Sequence, residues 1–154
     1  MNTDAVIQAE LGKVGVGIII RDSTGNVLAS SAQSIEVEFS PSITEAFVLL
    51  KGLKMARESG LWPCEVEIDA RNVVHLIGSP NPLLSEIGLV IKDIKLILET
   101  SPKCSMAFVR SANMVAHHLA KLGLEMDNDC FWMEDCPPPP RVVPFVLGGC
   151  PSLM

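Results

Sequence analysis

The sequence predicts an α/β domain: a mixed five-stranded sheet with helices on both faces. Two observations lead there. The elements read along the chain as three strands, a helix, a strand, two helices, a strand and a last helix, an order that suits antiparallel strands beside a parallel core. Three acids, Asp4, Glu45 and Asp69, each fall where a predicted element begins or ends, among residues that otherwise read as core.

The first strand is short, Asn2-Thr3-Asp4, and is expected to close on its acid. From Lys13 to Val37 the apolar residues are dense and β-branched, broken by Ser23-Thr24-Gly25-Asn26, which has the composition of a tight turn; an antiparallel hairpin follows. Between Pro41 and Ser59, the residues Ile43, Ala46, Phe47, Leu50 and Leu53 keep the three-and-four spacing of a helix. Ser40 is its expected N-cap, Pro41 its first residue and Gly60 its stop. Cys64 to Ile68 reads as a short strand ending at Asp69. Asn72 to Ile77 reads as a short helix terminated by Gly78-Ser79-Pro80-Asn81-Pro82. A second long helix is predicted from Leu84 to Glu99, a strand from Ser105 to Val109, and a last helix from Ser111 to about Leu124.

Residues 1–126 form the expected domain and residues 127–154 an acidic, proline-rich tail. Asp127, Asp129, Glu134 and Asp135 precede Pro137-Pro138-Pro139-Pro140, a run that enforces extended polyproline backbone without donors. A spacer is the expected use, a ligand for a proline-recognising domain the alternative. Phe131 and Trp132 are the tail residues suited to dock back on the domain.

Length and composition set further bounds. A chain of 154 residues, 48% hydrophobic, suits one domain with a substantial core and excludes disorder throughout. No stretch approaches the roughly 18 consecutive apolar residues of a membrane span, and the first residues lack the features of a secretory signal. An intracellular protein is expected, nucleus and cytoplasm being indistinguishable. The five cysteines are odd in number and contain no Cys-x-x-Cys pair, so reduced thiols are expected rather than a disulfide framework or zinc knuckle. A net charge of −6 argues against a large nucleic-acid footprint, because phosphate affinity comes mostly from Lys and Arg. Acidity alone does not exclude a nuclease, since bound cations offset a carboxylate cluster locally.

Five motifs in order carry a resemblance that covers most of the chain. They are Asn2-Thr3-Asp4-Ala5; Gly15-Val16-Gly17-Ile18-Ile19-Ile20-Arg21-Asp22-Ser23-Thr24-Gly25; Glu45-Ala46-Phe47-Val48-Leu49-Leu50; Asp69-Ala70; and Arg110-Ser111-Ala112-Asn113-Met114-Val115-Ala116-His117-His118-Leu119-Ala120. Together they resemble the ribonuclease H-like family, in particular its plant branch related to the ribonuclease H domain of retroelement reverse transcriptases. The resemblance supplies the strand order and implies hydrolysis of the RNA strand of RNA–DNA hybrids with Mg2+ or Mn2+. In that family the opening strand is central and runs several residues before its Asp. Only Met1, Asn2 and Thr3 precede Asp4 here, so unpaired ladder groups are expected, at about one kcal/mol or more for each lost partner. An incomplete domain or truncated gene model is the corresponding expectation.

By this resemblance Asp4, Glu45, Asp69 and His117 are both the metal ligands and the catalytic residues, His117 standing where catalytic members carry Asp. Carboxylates suit the site because hard divalent cations take several oxygen ligands. Imidazole fits manganese better than magnesium, so activity is expected to lean toward manganese. Each residue also has a plain structural reading. Asp4 can be an acid of a frayed terminus, and Glu45 a first-turn carboxylate favoured by the helix dipole. Asp69 can cap the following helix. His117, opposite the stripe Ala112, Val115, Leu119 and Leu122, is expected to face solvent, while His75 and His118 are read as surface or helix-packing residues. Glu45, Leu49, Gly52 and Ala56 share one row flanking the apolar stripe, which places the Glu45 carboxylate near packed structure.

Ser40, Ser42, Arg71 and Asn72 flank the acids and are the candidate nucleic-acid contacts, to phosphate or to the 2′-hydroxyl edge that distinguishes RNA. Two departures from catalytic relatives weaken the expected turnover. Ala107 stands for the histidine expected in the loop before the last helix, and a basic protrusion is absent, residues 82–99 holding only Lys92 and Lys95 as basic residues. A remnant that keeps the fold and binds nucleic acid or protein is therefore the second expectation, and an interaction module acting through the tail the third.

Overall fold

The computed structural model describes residues 1–62, 64–81, 84–101, 103–110 and 114–134. Along the chain run β1 (Asn2–Gln8), a 3-10 turn (Ala9–Leu11), β2 (Lys13–Arg21), β3 (Val27–Glu36), α1 (Pro41–Glu58), β4 (Glu65–Ile68), α2 (Arg71–Gly78), α3 (Glu86–Thr100), β5 (Ser105–Phe108), α4 (Met114–Glu125) and β6 (Cys130–Met133). Among the described residues they form one sheet in the order β5-β4-β1-β2-β3-β6. β1, β2, β3 and β6 pair antiparallel, while β4 joins β1 and β5 in parallel.

The predicted mixed α/β architecture is thus present, with two corrections. The sheet has six strands, because Cys130–Met133 pairs with Ala29–Ala32 and Trp132 packs on the core. The second concerns β1, which does not close at Asp4. Ala5, Val6, Ile7 and Gln8 continue the ladder opposite Val16, Gly15, Val14 and Lys13, so Asp4 lies inside a central strand. On the β4 side, β1 pairs through Asn2 and Glu67, and the Met1 carbonyl accepts the Glu67 N–H at 2.9 Å.

Local chemistry explains the joints. At the β2–β3 turn, the Asp22 carboxylate accepts the N–H groups of Thr24 and Asn26 at 2.8 and 2.9 Å, and Gly25 takes a φ of +91°. Hydrogen bonds from the side chains of Asn26 and Thr24 hold the Asp22 carboxyl down at about 2. α1 begins as predicted: Pro41 is its first residue and the Ser40 hydroxyl accepts the Ile43 N–H at 3.4 Å. It stops at Ser59 and Gly60, the latter at φ +70°.

Alternation along β2 sorts its side chains to the two faces. Val14, Val16, Ile18 and Ile20 share one core with Leu49, Leu50 and Leu53 of α1 and Ile91, Ile94 and Ile97 of α3. Ile19 points the other way, into a second core with Val115, Ala116, Leu119 and Leu122 of α4. Each fully buried Ile or Leu contributes roughly 2 kcal/mol. Gly15 and Gly17 also face α4, whose backbone lies directly on them: a Cβ on Gly17 would sit 1.9 Å from the Ala116 carbonyl oxygen, and one on Gly15 2.0 Å from that of Ala120. Gly123 repeats the contact from the helix side, a Cβ there meeting the Gln33 carbonyl oxygen at 2.2 Å.

Gly17→Ala should therefore force α4 off the sheet and destabilise the fold by about 1–3 kcal/mol or more. Gly78→Ala, where an added methyl meets open space, should be neutral or slightly stabilising. Thermal or urea unfolding of the two variants checks the contrast, and equal effects would contradict the close seating of α4.

Candidate active site

The sheet topology brings Asp4 and Asp69 together. β1 and β4 run parallel with Asn2 level with Glu67, so two residues further along each strand Asp4 and Asp69 stand side by side. Asp4 pairs across the ladder with Gly17 and so points to the face where α4 lies. Glu45 comes from α1. It is not a first-turn residue: the first turn of α1 contains no acid, so the simple dipole reading does not account for it. Carboxylate oxygens of Asp4, Glu45 and Asp69 all lie within 4.8 Å of one another.

Other sequence-based readings change as well. Asp4 is not a frayed acid but is buried, at 7% exposure. Asp69 does not cap α2, whose N-cap is Ala70, without a side-chain capping bond. His117 does not simply face solvent. It is half-exposed, and its Nδ1 lies 2.7 Å from Asp4 Oδ2. It thus reaches the cluster through Asp4, while the three carboxylates make the compact oxygen group. Asn113 of the last motif lies outside the described residues.

Burial pushes the Glu45 carboxyl up to about 8, with repulsion from Asp4 and Asp69 adding to it. Asp4 is also raised by burial, against the hydrogen bond from His117 that favours its charged form. Three crowded oxygen donors whose ionised forms oppose one another fit a hard divalent cation, which would stabilise the deprotonated state.

The flanking candidates have partners of their own. Asn72 Nδ2 donates to Ser42 Oγ at 2.7 Å, tying the start of α2 to the start of α1. The Arg71 guanidinium stacks over the Phe108 ring, 4.6 Å from its centre. The sequence reading missed Phe108, because no spacing links the end of β5 to the start of α2. Ser40 Oγ is engaged as the α1 cap. Ala107 sits within β5, opposite Glu67, rather than after it; residues 109–113 of the sequence contain no histidine either. A cavity of about 660 Å³ lined by Arg21, Trp62, Cys64 and Glu67 does not include the acids.

Residues 2–123 match the model of a family described as reverse transcriptase-like. The chain belongs to that family. It is a ribonuclease H-like domain, in agreement with the five motifs. Solved structures show the same fold. Ribonuclease H1 from the halophilic archaeon Halobacterium salinarum NRC-1 is 21% identical with a TM-score of 0.71, over 80% of this chain and 95% of that one. LC11-RNase H1, solved in complex with an RNA/DNA hybrid, is 21% identical with a TM-score of 0.69, over 80% and 94%. The N-terminal RNase H domain of a Mycobacterium tuberculosis protein is 21% identical with a TM-score of 0.66, over 80% and 90%. No curated protein matches the sequence. Among the described residues of this ribonuclease H-like domain, no helix is long and apolar enough to cross a membrane.

The raised carboxyls give a pH signature. Unfolded, Glu45 titrates near 4.5; folded, near 8. Below about 4.5 both states hold the proton. As pH rises through the window, the unfolded chain releases a proton that the folded chain retains, so the metal-free protein loses stability, on the order of a few kcal/mol, and levels off above about 8. Thermal melts in chelator from pH 4.5 to 9 should fall along this window, and Glu45→Gln should flatten the slope. A wild-type profile that is flat or rises with pH would contradict the buried acid.

Proposed function

We propose that this ribonuclease H-like domain hydrolyses the RNA strand of RNA–DNA hybrids with Mg2+ or Mn2+. The single observation that carries the reading is the convergence of Asp4, Glu45 and Asp69 from β1, α1 and the end of β4, with oxygens within 4.8 Å. Fold likeness to ribonucleases H1, one of them solved with a hybrid, supports the choice of substrate. Affiliation with the plant, retroelement-related branch rests on motif spelling alone.

In this reading Asp4, Glu45, Asp69 and His117 form the metal-binding and catalytic set. Divalent ions, when bound, supply an activated water and stabilisation of the leaving oxygen. The protein's own groups do the placing. Asp4 is held by β1 and by His117 Nδ1. Glu45 is fixed by a helix packed on the sheet, and Asp69 by the end of β4. Ser40, Ser42, Arg71 and Asn72 line the approach and engage backbone or sugar, with the Ser42–Asn72 bond and the Arg71–Phe108 stack fixing their positions. With a net charge of −6, few phosphates are neutralised, so binding is weak and weakens further as salt is added.

A labelled RNA–DNA hybrid should be cut in its RNA strand, more readily with manganese than with magnesium. Asp69→Asn should reduce the rate by ~100-fold or more. Intact hybrid after long incubation of the folded protein with either ion would reject the reading.

His117 favours a second reading, a remnant with little or no turnover that binds nucleic acid or protein. An imidazole bound to Asp4 stands where catalytic relatives carry a further carboxylate. On this reading His117→Asp raises a low wild-type rate, and strong wild-type turnover contradicts it.

A further inference from the structure

Away from the acids, β4 and β5 bring two thiols together. Glu65 is paired with Ser105 in the parallel register, so the residues just before them, Cys64 and Cys104, face each other at the starts of adjacent strands. Their sulfurs lie 3.9 Å apart although the residues are 40 apart in sequence. The Cys104 thiol also donates to the Cys64 carbonyl oxygen at 2.9 Å, which fixes its side chain toward the neighbouring strand. Neighbouring strands run about 4.8 Å apart, within the Cα separation of roughly 4.4–6.8 Å that a disulfide spans. Both residues are half-buried, and Cys130 lies in β6 at the opposite border of the sheet.

We propose that Cys64 and Cys104 form a dithiol that closes to a disulfide by exchange with a low-molecular-weight disulfide such as oxidised glutathione, stapling β4 to β5. A Cys104 thiolate attacks one sulfur of the small disulfide, forming a mixed disulfide and releasing one small thiolate. Cys64, after giving its proton to solvent, attacks the Cys104 sulfur; the Cys64–Cys104 bond forms and the second small thiolate leaves. Two protein thiols are oxidised and one small disulfide is reduced to two thiols.

The order of attack follows from the surroundings. Burial and the neighbouring thiol push Cys64 up to about 12, whereas groups of Cys64 partly oppose the effect of burial on Cys104. Exchange is accordingly slow at neutral pH and quickens in alkaline buffer, because the thiolate is the nucleophile. Oxidation of this pair is independent of catalysis by the acidic cluster.

The test is incubation of the native full chain with oxidised glutathione at pH 7 and pH 9, followed by alkylation and tryptic mapping. Trypsin releases Cys64 in residues 58–71 and Cys104 in residues 104–110, each with no other cysteine. The expected product is the pair 58–71 linked to 104–110, formed faster at pH 9, reversed by dithiothreitol and accompanied by a rise in Tm of roughly 10 °C. A variant with Cys130, Cys136 and Cys150 changed to Ser should give the same linked pair. Recovery of Cys64 and Cys104 as free thiols, as stable mixed disulfides with glutathione, or linked to other cysteines would overturn the proposal.

Discussion

The structure depends on how closely α4 can lie on the sheet. A helix carrying ordinary side chains at a contact stands 8–10 Å from its neighbour, but Gly15 and Gly17 of β2 let the α4 backbone rest on the strand itself. Gly17 is also the ladder partner of Asp4. The absence of one side chain therefore serves two ends: it admits the helix, and it brings His117 of that helix within 2.7 Å of Asp4. Packing and chemistry share a position, and neither can be altered without the other.

Burial by the packed elements sets the electrostatic character of the site. Asp4 and Glu45 are drawn out of water by the elements that bury the cores, and both carboxyls rise as a result. A protein selected for stability alone would place apolar groups there. Keeping acids in such a position is a local conflict of the kind found where folding and function make different demands. The imidazole of His117 relieves part of the conflict at Asp4 through its hydrogen bond to that carboxylate.

Much of this was legible in the chain because local chemistry dictated it. Ser40 and Pro41 announced the start of α1, and Ser23 to Asn26 the turn between β2 and β3. Motif order ties Asp4, Glu45 and Asp69 into one cluster without any knowledge of their distances. What escaped depended on contacts between distant segments. The azimuth of His117 on its helix said nothing of a neighbouring strand that its ring could reach. Ala5 to Gln8 end in exposed residues and lack a strong pattern, so only pairing with β2 reveals them as strand. Cys130–Met133 is four residues long and is followed by acid and proline, and its strand character comes from the edge of β3. Phe108 under Arg71 likewise follows from strand order alone.

The outer strands bear on self-association. β5 and β6 are each four residues long, and β6 covers part of the ten-residue β3. Among the described residues, four-residue outer strands offer few open amide and carbonyl groups to a passing chain, which disfavours templated pairing along those two strands.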